Sequence, residues 1–180
     1  MIRRINLYGG PGAGKSTTAA ELFAKLKRMG VNIELVTEYV KSWAVLNRVV
    51  QPLDQILLLG KQTNYEHRFL SHGTDHTVTD SPVFLGACYA DFYAGEVGLG
   101  PHIASIHAIY EKEYPSLNIY LDRGDKPYDP QGRYQSYEDA LALDKFIRRR
   151  LEEEKISFKV MKFDEPDAIL ELVLDKINGG

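Results

Sequence analysis

A phosphate-binding loop near the N-terminus is the feature that most constrains this chain of 180 residues. Residues 9–16 read GGPGAGKS and match the pattern G-x-x-x-x-G-K-[ST], between an apolar strand and a run of helix-forming residues. Glycines let backbone N–H groups turn inward around a phosphate, and the helix N-terminus adds a partial positive charge. We therefore expect a nucleoside triphosphate to bind here, with Lys15 on its β- and γ-phosphates and Ser16 on Mg²⁺. The predicted nucleotide-binding residues of the loop are Gly10, Gly12, Ala13, Gly14, Lys15, Ser16 and Thr17.

Composition excludes several classes of protein. A formal net charge of −3 leaves no broad basic face, which disfavours tight non-specific binding of duplex DNA. The single cysteine, Cys88, excludes an intrachain disulfide, and we expect it to pack as a small apolar residue of a helix. The apolar runs are too short to cross a membrane, so we expect a cytoplasmic protein.

Short apolar strands alternate with helical segments along the chain, a pattern typical of a parallel sheet covered on both faces. We predict an α/β fold of the three-layer P-loop NTPase type in one domain, residues 1–180, with a five-stranded parallel sheet. Its strands would be Ile2–Tyr8, Val31–Thr37, His76–Thr79, Leu117–Leu121 and Phe158–Phe163. Its helices would be residues 15–29, 52–70, Val83–Tyr93, Ile103–Tyr114, Ser136–Glu154 and a last one from Pro166. In the strand order of nucleotide kinases, 2-3-1-4-5, the third strand lies beside the first.

Two irregular segments interrupt this pattern, residues 94–101 and residues 123–135. Both are rich in glycine, and loops of this length in a compact domain are usually functional or disordered. We expect both to lie over the site, the second as a lid at about residues 123–135. Lid arginines of small kinases neutralise charge on the transferring phosphoryl group. Arg133 is the first candidate for this role, and Arg123 is a candidate to pack on the adenine, while solvated loop charges are the alternative for both.

Acidic residues follow two of the predicted strands. Asp80 ends the third strand, where the Walker B carboxylate of P-loop proteins holds Mg²⁺, although an aspartate before Ser81-Pro82 could instead cap a helix. Glu38 follows the second strand, one place farther from the loop. Ligands of open α/β sheets bind beyond the carboxyl ends of the strands, so Glu38 could accept the proton of an attacking hydroxyl. A helix cap or a solvated glutamate is the alternative for Glu38.

Four polar or aromatic residues are candidates to contact an acceptor. Tyr39 and Trp43 are four residues apart on one helix face and could stack on a base, or they could belong to the core. Gln62 and Tyr65 lie on the helix before the third strand, where an amide could pair with a pyrimidine edge. An exposed helix face is the alternative for this second pair.

These motifs together resemble the small P-loop kinases of tailed bacteriophages. The residues that carry the resemblance are the loop at 9–16, Thr37-Glu38-Tyr39, Thr79-Asp80-Ser81-Pro82 and the segment 125–133. That group is similar to thymidylate kinases, deoxynucleoside kinases and nicotinamide riboside kinases. Some phage members phosphorylate the hydroxymethyl group of 5-hydroxymethyluracil in DNA, and the segment 123–135 looks most like theirs.

The resemblance implies an ATP- and Mg²⁺-dependent kinase acting on a nucleotide-like acceptor in the host cytoplasm. The first candidate acceptor is 5-hydroxymethyluracil in phage DNA, and free nucleosides or nucleotides are the alternative. Ser81-Pro82 stands where deoxynucleoside kinases carry an arginine, and Tyr39-Val40 where thymidylate kinases carry proline and glycines. Both departures count against free thymidylate or a free deoxynucleoside. A P-loop ATPase is the rival from another class, and a homodimer is left open.

Overall fold

A parallel sheet with helices on both faces forms the molecule. The computed structural model describes residues 1–46, 48–125, 128 and 135–179. In these residues the sheet has five strands in the order β2-β3-β1-β4-β5, every neighbouring pair parallel. The predicted fold class and strand order are therefore confirmed. The strands are β1 Arg4–Tyr8, β2 Ile33–Val36, β3 His76–Thr79, β4 Ser116–Asp122 and β5 Lys159–Lys162.

Seven α-helices and one 3₁₀ helix occur in the described part of the chain. The α-helices are α1 Lys15–Arg28, α2 Lys41–Val45, α3 Asp54–Leu70, α4 Val83–Ala94, α5 Leu99–Glu113, α6 Tyr137–Glu153 and α7 Pro166–Asn178. Local chemistry sets several of their ends. Ser136 and Asp139 form a capping box at the start of α6, and Gly30 takes a φ of +83° just after α1. No helix among the described residues combines the length and apolar character needed to cross a membrane.

The two faces of the sheet carry separate apolar clusters. Alternation along β1 turns Ile5 and Leu7 towards α1 and α7, where Leu22 and Ile169 are buried against them. Tyr8 faces the other side and packs in a cluster formed by α4, α5 and α6. Cys88 is fully buried in this second cluster, as expected. Because both faces are covered, the strand ends are the part of the sheet left open to a ligand.

The segment at residues 94–101 differs from the expectation. It is mostly helical, since Gly95–Val97 forms the 3₁₀ helix and α5 begins at Leu99 rather than Ile103. Gly98, with a φ of +68°, makes the sharp turn between the two helices. Residues 94–101 therefore form a turn between helices and not an irregular loop. The helix implied by the spacing of Tyr39 and Trp43 is α2, which contains Trp43 and begins two residues after Tyr39.

Candidate active site

The loop between β1 and α1 has three glycines at positive φ, a backbone region that favours glycine: Gly9, Gly12 and Gly14. Gly12 and Gly14 take φ values of +78° and +94°, in the left-handed region that disfavours side chains. A Cβ on Gly14 would overlap the Phe163 ring and lie 2.8 Å from its Cγ. The loop thus forms the phosphate cradle that its sequence pattern predicts, directly before the first turn of α1.

Lys15 lies folded over this loop. Its Nζ donates to the carbonyl oxygens of Gly9, at 2.7 Å, and Gly10, at 2.9 Å. Burial lowers the pKa of Lys15, while the nearby carboxylates of Glu38 and Asp80 raise it. The amine is therefore held near the loop, and a third carboxylate, that of Asp144, also raises its pKa.

Asp80 bonds directly to the first turn of α1. β3 pairs with β1, so its carboxyl end lies beside the loop, and Asp80 Oδ2 accepts a hydrogen bond from Ser16 Oγ at 2.5 Å. Asp80 is only 3 % exposed, and its Oδ1 accepts no hydrogen bond from the described residues. Pro82, not Asp80, is the N-cap of α4, and no side chain in the described part of the chain caps that helix. A buried carboxylate oxygen without a donor, next to a hydroxyl, fits the hard oxygen ligands that Mg²⁺ prefers.

Glu38 faces the same region. It lies two residues beyond β2 and is half-buried. Burial raises its pKa, the charge of Asp80 raises it further, and Lys15 and Lys41 lower it. The structure therefore brings Glu38, Asp80 and Lys15 together, as the sequence predicted for the ends of neighbouring strands.

A cavity of about 590 Å³ extends from the loop to the space between α3 and α4. Lys15, Ser16 and Thr17 line one end, and Tyr89 and Tyr93 line the wall formed by α4. Its volume falls within the range of small-molecule sites, about 300–1,000 Å³. Burial raises the pKa of both tyrosines, so they are neutral at physiological pH. This pair was not predicted from the sequence, although the spacing of four residues on one helix was a signal.

Of the first two candidate acceptor residues, Tyr39 lines the cavity and Trp43 does not. Trp43 is 5 % exposed, and the Arg48 guanidinium lies 3.5 Å from the centre of its ring. The Tyr39 ring meets it edge to face at 6.2 Å. The structure thus places Trp43 in the packing beneath Tyr39, which was the alternative interpretation.

The second pair also divides. Gln62 is 6 % exposed, lines the cavity, and donates from Nε2 to Thr79 Oγ1 at 3.1 Å. Tyr65 is 44 % exposed and does not line the cavity. Of Gln62 and Tyr65, only Gln62 is therefore positioned to contact an acceptor.

One end of the predicted lid contacts the phosphate loop, and the other lines the cavity. Arg123 is 7 % exposed, its Nε lies 2.6 Å from Asp144 Oδ2, and its Nη2 donates to the Pro11 carbonyl oxygen at 2.9 Å. Gln135, at the other end, lines the cavity and hydrogen-bonds to Tyr93. Arg133 lies outside the described residues, and so does most of the segment between these ends.

Asp144 is a further site residue that the sequence analysis missed. Its Oδ1 accepts a hydrogen bond from the Gly10 N–H at 2.5 Å while Oδ2 binds Arg123. One signal was available, because Asp144 is a charged residue next to the buried stripe of α6 that contains Leu143 and Ile147.

The fold and this loop define a P-loop NTPase, a class of nucleotide-binding proteins. A family model described as an AAA domain matches residues 4–166, and the chain belongs to that family. No curated protein matches the chain in a sequence search.

Solved structures give the same fold. A structure of NadR protein in complex with NAD and AMP-PNP is 16 % identical, with a TM-score of 0.70, over 94 % of this chain and 49 % of that one. A second structure, of NadR protein in complex with NR, is also 16 % identical, with a TM-score of 0.67, over 89 % of this chain and 43 % of that one. The chain thus spans about half the length of these proteins.

Proposed function

We propose that this protein is an ATP-dependent kinase that transfers the γ-phosphoryl group to a hydroxyl of a nucleotide-like acceptor. The observation that carries the proposal is the second carboxylate. Glu38 lines a cavity that begins at the phosphate loop, while Asp80 already binds Ser16. A Mg²⁺ site would use Asp80 but does not require Glu38, so the Glu38 carboxylate is available to contact an acceptor.

The phosphate side of the reaction uses the loop and its neighbours. The backbone N–H groups of the loop and Lys15 bind the β- and γ-phosphates. Ser16 and Asp80 would hold Mg²⁺, which when bound neutralises charge on the phosphate oxygens. Arg133 is proposed to approach the transferring group when the lid closes, and Arg123 to pack on the adenine.

Glu38 is proposed as the general base. The acceptor oxygen attacks the γ-phosphorus, the bond from that phosphorus to the bridging oxygen breaks, and ADP leaves with that electron pair. Glu38 takes the proton of the acceptor hydroxyl as the new O–P bond forms. Burial raises the pKa of Glu38, which makes its carboxylate a stronger base than an exposed glutamate.

The first candidate acceptor is 5-hydroxymethyluracil in DNA. A cavity of about 590 Å³ accommodates one nucleoside and not a duplex, so a target base would have to enter unstacked from its strand. Tyr39, Tyr89 and Tyr93 offer aromatic surface for a base, and Gln62 offers an amide. The resemblance of segment 123–135 to phage DNA kinases supports this choice.

A free nucleoside or nucleotide is the second candidate acceptor. The structural likeness to NadR, which was solved with NR and with NAD and AMP-PNP, favours it. Nicotinamide riboside belongs to this class of acceptors. The net charge of −3 also favours a small molecule over a long polyanion.

Incubation with γ-³²P-labelled ATP separates these candidates. The acceptors would be DNA containing 5-hydroxymethyluracil, as single strand and duplex, unmodified DNA, and a panel of nucleosides that includes nicotinamide riboside. Label on modified DNA alone supports the first candidate, and label on nucleosides alone supports the second. ATP hydrolysis with no label on any acceptor would contradict the kinase assignment and favour a P-loop ATPase.

Glu38→Gln tests the base in the same assay. We expect it to bind ATP normally and to lose phosphoryl transfer by about two orders of magnitude or more. Glu34→Gln is the matched control, because Glu34 lies on β2 and pairs with Lys27 away from the cavity. Normal transfer by Glu38→Gln would refute the proposed base.

A further inference from the structure

Asp144 joins three parts of the molecule that are far apart in sequence. Its Oδ1 accepts from the Gly10 N–H at 2.5 Å, and its Oδ2 lies 2.6 Å from Arg123 Nε. Arg123 in turn donates to the Pro11 carbonyl oxygen at 2.9 Å. The carboxylate and the guanidinium thus hold the beginning of the phosphate loop between them.

This arrangement fits the loop closely. A Cβ on Gly10 would lie 2.6 Å from Asp144 Oδ1 and 2.9 Å from the Ala140 carbonyl oxygen. Tyr120, on β4, donates its hydroxyl to the Asp144 backbone carbonyl at 3.0 Å, which fixes α6 against the sheet. The position of the carboxylate is therefore set from both its backbone and its side chain.

A carboxylate so close to a phosphate site carries an electrostatic cost. The charge of Asp144 acts on Lys15, whose pKa it raises, and the same charge would repel a triphosphate. Arg123 compensates this charge, since the pair is largely buried, with side-chain exposures of 5 % and 14 % for Arg123 and Asp144. Buried ion pairs of this kind often add little net stability, so stability alone does not explain why the Arg123–Asp144 pair is present.

We propose that Asp144 is a positioning residue for the nucleotide, which sets the Gly10–Pro11 turn and the Arg123 guanidinium in the orientation that binds ATP. The inference rests on the proposed function, because it requires ATP as the ligand of the loop. Arg123 also begins the predicted lid, so Asp144 links the phosphate loop to the start of that segment. The competing explanation is an ion pair that stabilises the fold and has no part in binding.

Three variants separate these explanations. Asp144→Asn removes the charge and leaves the buried guanidinium without a counter-ion, so it is expected to lower both the melting temperature and ATP affinity. Arg123→Gln is the reciprocal change, because it removes the guanidinium charge and leaves the Asp144 carboxylate without its partner. The double variant Asp144→Asn/Arg123→Gln replaces the charged pair by a neutral one, so it should recover the melting temperature. The matched control is Glu138→Gln, an exposed carboxylate in the first turn of the same helix.

The measurements are the Kd of a fluorescent ATP analogue, the KM of the acceptor and the melting temperature. Asp144→Asn and the double variant should both raise the nucleotide Kd by about tenfold, the equivalent of one charge-assisted hydrogen bond, with the KM of the acceptor unchanged. Glu138→Gln should change none of the three. A double variant that recovers both melting temperature and nucleotide Kd would show a purely structural pair and overturn the inference.

The wild-type protein distinguishes failure of the inference from failure of the proposed function. If the wild type does not bind the ATP analogue, the proposed function fails and the inference fails with it. If the wild type binds the analogue and both Asp144 variants bind it within about twofold of that value, only the inference fails.

Discussion

Adding one methyl group at Gly14 should both destabilise the protein and close its phosphate site. Gly14 has a φ of +94°, and alanine in a left-handed conformation costs about 1–2 kcal/mol. The new Cβ would also overlap the Phe163 ring, and displacing a packed side chain typically costs about 1–3 kcal/mol. Gly14→Ala is therefore expected to lower the free energy of unfolding by about 2–5 kcal/mol.

The assay is thermal unfolding followed by circular dichroism, with nucleotide binding measured in parallel. For a chain of this length about 2–4 °C is lost per kcal/mol, so the melting temperature should fall by about 4–20 °C. Titration with a fluorescent ATP analogue should show little binding at any temperature where the variant is folded, because the displaced loop no longer presents its N–H groups.

Gly60→Ala is the matched control, since it adds the same methyl group in a different setting. Gly60 lies within α3, and among the described residues no atom outside its own helix lies within 4 Å of an added Cβ. Alanine is favoured over glycine in a helix by about 0.8–1 kcal/mol, so this variant should melt about 2–4 °C higher. A Gly14→Ala variant with wild-type melting and nucleotide binding would refute the reasoning, as would a Gly60→Ala variant destabilised to the same extent.

Two more predictions concern pH and Mg²⁺. The base must be ionised and Lys15 protonated, so activity should be lost as pH falls through the pKa of Glu38 and as it rises through that of Lys15. Burial raises the pKa of Glu38 from 4.5 and lowers the pKa of Lys15 from 10.5, so the pH range of full kcat/KM should be narrower than the interval between those two ordinary values. An acid limb at or below pH 4.5 would contradict this prediction. Asp80→Asn should raise the Mg²⁺ concentration needed for half-maximal activity by at least about tenfold, because it removes an anionic ligand. An unchanged Mg²⁺ titration would exclude Asp80 from the metal site.

Much of the fold could be predicted from the sequence, because its signals are local. The loop at 9–16 fixes β1 and α1, and the short apolar runs that follow give the other strands to within a few residues. His76–Thr79 was predicted with the bounds that the structure has. Helix α2 has only five residues, too few for its bounds to be predicted from a helical period. At residues 99–101 the glycine and proline suggested a loop, yet both fit the first turn of a helix.

The acidic residues of the site were predictable for the same reason. Asp80 and Glu38 follow strands, and neighbouring parallel strands bring their carboxyl ends to one edge. Asp144 was not predictable from local pattern, because its partners lie 134 and 21 residues away. Tertiary contacts of this kind leave only an indirect trace, a charge beside an apolar stripe.

Helix α3 shows why Gln62 and Tyr65 were not separated. The buried face of this helix steps by four residues through Gln62, Glu66 and Leu70, and Tyr65 lies to one side of it. Two of these buried residues are polar and each has a buried polar partner. Glu66 pairs with Arg4, fully buried on β1, at 3.5 Å, and Gln62 donates to Thr79 Oγ1. A polar buried face looks like an exposed one when only the sequence is read.

The central claim is that a triphosphate and an acceptor hydroxyl meet in front of Lys15, between Asp80 and Glu38. A crystal structure with AMP-PNP, Mg²⁺ and the acceptor identified by phosphate labelling tests it most directly. The account predicts the metal on Ser16 and Asp80, and the Glu38 carboxylate within hydrogen-bond distance of the acceptor hydroxyl, about 2.6–3.2 Å. A triphosphate bound outside the loop, or an acceptor hydroxyl with Glu38 turned away from it, would contradict the account.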